Sequence, residues 1–84
     1  MHGRHTLLTE FHLQKGHTLP RHRHPHEQTG YLVSGALSMT IGDRTFEARA
    51  GDAWCIPGDT EHEARVLEDA VAIEVFSPVR TEYL

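Results

Sequence analysis

At 84 residues the chain makes one domain, 1–84, with room for a single small hydrophobic core. Twelve acidic side chains against eight basic ones leave a net charge of −4, which argues against the basic face that a nucleic-acid partner needs; no run approaches the ~20 apolar residues of a membrane span. Cys55 is the only cysteine, so no intrachain disulfide is available, and with no apolar leader at Met1-His2-Gly3-Arg4-His5 the expected location is cytoplasmic.

In chain order the sequence predicts short strands separated by turn residues. Thr6 to Leu13 is the first, closed by Lys15-Gly16. After a His-rich stretch, Tyr31-Leu32-Val33 forms a strand that ends at Ser34-Gly35. Leu37, Met39 and Ile41 alternate with Ser38 and Thr40, the period of a half-buried strand. Gly42-Asp43 is a two-residue hairpin signal leading into Thr45 to Ala48. Ala50-Gly51-Asp52 turns the chain into Ala53 to Ile56, and Pro57-Gly58-Asp59 breaks that strand. His62 to Leu67 is next, and Glu68-Asp69 turns it into Ala70 to Phe76. In that last strand Val71, Ile73 and Val75 share one face, while Ala72, Glu74 and Phe76 share the other. No window carries a helical period, and turn signals recur every ~8–12 residues, which reads as one antiparallel β domain, a sandwich or a barrel.

Eight histidines in so short a chain point to metal or pH chemistry. His22 and His24 stand two apart, and on an extended run such residues project from one face about 6–7 Å apart. Two imidazoles so placed can converge on one cation. Pro25 breaks the regularity, so a bend there can bring Gln28 back toward the site and turn His26 elsewhere. His62 follows the Pro-Gly turn, where a side chain can be aimed into a cavity. His22, His24, Gln28 and His62 make a neutral shell for a divalent transition metal, with Zn, Ni, Mn, Fe and Co all compatible. A shell without carboxylates leaves the ion its full charge and favours Lewis-acid work over redox cycling. Beside this stand plainer readings: a solvated His-X-His tract, a surface glutamine, an isolated histidine after a turn. Trp54 is expected to pack in the core with no polar task, and Tyr31 to pack in the core or at the rim, or else to border the pocket. His2, His5, His12 and His17 are expected to be exposed, and Glu27 to be solvated or to orient a histidine ring.

Two segments resemble the paired motifs of the cupins. Gly16, His22-X-His24, Gln28 and Gly35 follow the order of the first, and Gly51, Pro57 and His62 that of the second. The resemblance implies an all-β jelly-roll (double-stranded β-helix) barrel holding one metal, with His22, His24, Gln28 and His62 in the four ligand positions. Gln28 stands where the family usually has Glu, Asp59 where the second motif usually has Gly, and Val66 where it ends in Asn. A short N-terminus implies an edge strand that is missing or donated by a partner, hence a homodimer.

The C-terminal stretch from Val71 to Leu84, with His24-Pro25-His26-Glu27-Gln28, is similar to the pectin-degradation cupins. Members of that family convert 4,5-unsaturated galacturonate or guluronate to its open-chain keto form. The resemblance implies that Glu74, Phe76 and Arg80 line the cavity as catalytic and substrate-binding residues, with Glu74 in place of the usual Asp. A carboxylate on the buried face would have a raised pKa suited to proton transfer, and Arg80 offers a planar fork for the carboxylate of an acidic sugar. Two other readings stand beside this one: a sugar-binding or small-molecule-binding cupin without catalysis, and a metal-dependent dioxygenase.

Overall fold

The computed structural model describes residues 1–83. It contains strands β1 (Leu7–Leu13), β2 (Thr18–His22), β3 (Glu27–Ile41), β4 (Arg44–Arg49), β5 (Ala53–Ile56) and β6 (His62–Ser77), followed by a 3-10 turn at Thr81–Tyr83. All pairings between strands are antiparallel. No helix among the described residues is long and apolar enough to cross a membrane.

The long strands β3 and β6 run side by side along the whole molecule, and each belongs to two sheets. The first half of β3 lies between β5 and the second half of β6, which β1 flanks on its other side. The second half of β3 lies between β4 and the first half of β6, which β2 flanks. Two four-stranded sheets thus share a pair of bent strands, and their inner faces close on one core. This is the jelly-roll architecture that the motif resemblance implied, where the strand pattern alone left a sandwich or a barrel.

Two expected breaks are not breaks. Ser34-Gly35 and Glu68-Asp69 read as turns, yet β3 and β6 pass through them, and the pairing register shifts between Leu32 and Leu37. These are bulges, which bend a strand without ending it. Gly35 makes the bend possible: its φ is +89°, and a Cβ there would meet the Asp69 carbonyl oxygen at 2.2 Å and the Ala70 Cα at 2.7 Å. Only a glycine allows the two bends to nest. The Gly42-Asp43 hairpin forms as expected, with Ile41 paired to Arg44.

Leu32, Leu37, Ala48, Trp54, Ile56 and Val66 lie in the core between the sheets. The alternation read in the last strand holds: Ala72 and Phe76 point inward with Glu74, and Val71, Ile73 and Val75 outward. Tyr31 also lies on the outer face, 48% exposed, so its expected place in the core, at the rim or beside the pocket is corrected: in the pleat it opposes the inward Gly30 and Leu32.

Candidate metal centre

β2 and β6 set His22 and His62 opposite one another in antiparallel register, so both side chains point to the same side. Their rings stand 4.2 Å apart, centroid to centroid. β2 ends at His22 and His24 lies just beyond it, with the two rings 5.6 Å apart, centroid to centroid, close to the separation expected of residues two apart on one face. His24 is held by the Pro57-Gly58-Asp59 turn. The Asp59 N–H donates to the His24 carbonyl at 2.8 Å, and Gly58 packs so closely that a Cβ would meet the Pro25 carbonyl oxygen at 2.6 Å. Asp59 takes the left-handed φ of 62°, which Asp tolerates better than most residues, and so fills a position where the motif usually has glycine. The result brings the His24 ring to 4.9 Å from that of His62, and the three residues each offer a ligand atom within 4.8 Å of the others.

The rings are oriented for a cation. His22 donates Nδ1–H to the Pro20 carbonyl at 2.8 Å, His24 to that of His26 at 3.0 Å, and His62 to that of Thr60 at 2.8 Å. A carbonyl only accepts, so the proton of each neutral ring sits on Nδ1 and Nε2 keeps its lone pair. Burial holds His24 and His62 below the ordinary histidine pKa, which keeps those rings neutral. The His62 Nε2 is buried with no hydrogen-bond partner among the described residues. The His24 Nε2 faces the Gln28 Oε1 at 3.1 Å, one acceptor against another. A divalent cation among these lone pairs satisfies both anomalies, so the donor set fits a metal.

The centre opens into a cavity of about 110 Å³ whose lining includes His22, Gln28, His62, Glu74, Phe76 and Arg80. Sequence comparison gives the family. The cupin domain family matches residues 9–77. This chain belongs to the cupins. It is 29% identical over 80 residues to the pectin degradation protein KdgF of Dickeya dadantii (strain 3937), covering 93% of this cupin and 73% of that protein. The structure of KdgF from Halomonas sp. superposes with a TM-score of 0.95 at 31% identity, covering all of this cupin and 80% of that chain. An RmlC-like cupin from Shewanella frigidimarina shares the fold with a TM-score of 0.94 at 24% identity, over 99% of this cupin and 75% of that chain. The polyketide synthase CurC of Streptomyces cyaneus is 34% identical over 65 residues, but this cupin spans only 42% of its length.

On the wall of the cupin cavity, Glu74 accepts the Trp54 indole N–H at 3.0 Å on one oxygen and the Gln28 amide N–H on the other. Burial pushes the Glu74 carboxyl above its ordinary pKa, while those two donors and the positive charge of Arg80 hold it back. The Arg80 guanidinium lies 5.0 Å over the Phe76 ring and donates its Nε–H to Glu82 at 2.8 Å. Trp54 is buried as expected, but the expectation of packing alone is corrected by its hydrogen bond to Glu74. No linear signal pairs these two residues, which meet only through the sheet. His26 stands outside the three-histidine group, accepts the His24 Nδ1–H on its backbone carbonyl and sets its ring edge-on to that of His24 at 5.5 Å. His2, His5, His12, His17 and Glu27 are exposed.

Proposed function

We propose that this cupin is a metal-dependent enzyme that converts 4,5-unsaturated uronate monosaccharides to their open-chain keto form. The observation that carries the reading is that one cavity is lined by two of the three histidines, Gln28, Glu74, Phe76 and Arg80. The likeness to proteins named KdgF supports it.

His22, His24 and His62, joined by the Gln28 carbonyl oxygen, would hold the ion. A divalent metal bound there supplies Lewis-acid polarisation of a substrate oxygen. The reaction is an isomerisation and balances without a co-reactant. The anomeric hydroxyl gives up its proton and becomes the C1 aldehyde as the bond from C1 to the ring oxygen breaks, and C4 of the resulting enolate takes a proton to leave a ketone at C5. Of the carboxylates on the wall, Glu63 and Glu74, Glu74 is the one whose burial raises its pKa toward working pH, and it would accept and return that proton. Arg80 receives the uronate carboxylate, exchanging its contact with Glu82 for one with substrate. Phe76 supports the guanidinium from below and keeps water from that side of the site.

The test is the absorbance of the C4=C5 enol ether. Metal-loaded protein mixed with 4,5-unsaturated galacturonate should bleach it well above the spontaneous rate, lose this on chelation and regain it when metal is returned. A fully loaded sample that leaves the decay unchanged refutes the proposal.

A further inference from the structure

We propose that Trp54 and Glu74 are positioning residues that fix the direction of the Gln28 amide, so that its oxygen and not its nitrogen faces the three imidazoles. The inference rests on the metal-site part of the function proposed above and is independent of the substrate.

The register of the first sheet carries the argument. Trp54 on β5, Gly30 on β3 and Glu74 on β6 lie in one row across three strands, and all three point to the cavity side. Neighbouring strands lie about 4.8 Å apart, so the outer two are separated by roughly twice that distance. Gly30 leaves the lane between them open. A Cβ at Gly30 would fall 2.2 Å from the Trp54 indole nitrogen, so the indole lies flat on the glycine and delivers its N–H across β3 to Glu74. Gln28 precedes Gly30 by two residues and shares its face. Its Nε2 donates to the second oxygen of Glu74, which leaves its Oε1 beside the His24 Nε2.

Two N–H donors therefore converge on residue 74, one on each oxygen. Only a carboxylate offers an acceptor to both. A glutamine there has one acceptor and one donor, so it must present its own NH₂ either to the indole N–H or to the Gln28 NH₂. Relief of the second clash turns the Gln28 amide over and aims its nitrogen at the metal. The same logic explains why position 28 is an amide: a glutamate would set two carboxylates together with no proton donor between them.

The test is titration of chelator-stripped protein with Co²⁺, read by affinity and by the d–d absorption of the bound ion, with circular dichroism to confirm folding. Glu74→Gln should weaken Co²⁺ binding about 10-fold to 100-fold, the range for partners that orient metal ligands, and alter the absorption. Trp54→Phe, which keeps an aromatic ring and removes the N–H, should give a smaller loss in the same direction. The exchange Gln28→Glu with Glu74→Gln restores every partner, since residue 74 then accepts from Trp54 and donates to residue 28, and it should recover most of the loss. Binding unchanged in Glu74→Gln, or no tighter in the double variant than in Glu74→Gln, overturns the inference. Wild-type protein that takes up no Co²⁺ overturns it together with the metal reading, whereas failure of uronate turnover with normal Co²⁺ behaviour refutes only the substrate.

Discussion

The imidazole group and the carboxylate row share one cavity, yet they are built differently. Each histidine is oriented by a carbonyl two residues away along its own chain: Pro20 for His22, His26 for His24, Thr60 for His62. The row is assembled from residues 20 and 46 positions apart, Trp54 with Glu74 and Gln28 with Glu74. Burial acts on both in the direction that removes charge, lowering the pKa of His24 and His62 and raising that of Glu74. The tilt of each imidazole is wired locally, although the pairing of His22 with His62 also depends on strand register. A row wired across strands depends on register, and one glycine keeps it open.

The largest effect separating the two regions should come from His62→Ala. It removes the buried, unpartnered nitrogen and should weaken metal binding beyond the about 100-fold that marks the upper range for orienting partners. Calorimetric titration with Co²⁺ checks it, and metal-dependent bleaching of the enol ether should vanish with it.

Arg80→Ala tests the far side of the cavity. It should leave the Co²⁺ affinity within a few-fold of wild type and raise KM for an unsaturated uronate by about 10-fold to 100-fold, as expected when a hydrogen bond to a charged group worth about 1.5–3 kcal/mol is lost. Steady-state kinetics decide it, and an unchanged KM would remove Arg80 from substrate binding.

The smallest effect is in the pH dependence of the metal-free protein. His24 and His62 have folded pKa values below their ordinary 6.5, so the folded state binds fewer protons than the unfolded one across that interval. Their neutral burial therefore contributes fully above pH 6.5 and is lost as pH falls through the folded values. Glu74, raised above its ordinary 4.5, has the opposite sign: its contribution is present below pH 4.5 and declines as pH rises through the folded value. Thermal melts of chelator-treated protein should show Tm falling below pH 6.5, and His62→Asn should flatten that slope.

The strand pattern was legible in the sequence because period-2 alternation and turn residues are local signals, as in Leu37, Met39 and Ile41 ahead of Gly42-Asp43. The continuity of β3 through Ser34-Gly35 was not, because a bulge uses the same residues as a turn and differs only in having a partner strand that bends with it. The three histidines could be read because motif spacing places them. The way His24 is held beyond the end of β2 could not, since it depends on the turn at Pro57-Gly58-Asp59 packing against His24-Pro25.

By itself the sequence determined an all-β domain and put Glu74 and Phe76 on one face of a strand, by residue type and alternation, while the resemblance to the cupins implied that this face lines a cavity and that His22, His24 and His62 gather there as candidate metal ligands. The tertiary structure alone decided that Trp54 crosses Gly30 to reach Glu74, and that Glu74 turns the Gln28 amide toward the histidines. Those contacts depend on which residues of β3, β5 and β6 stand level with one another, and pairing register is a property of the closed barrel that no single strand encodes.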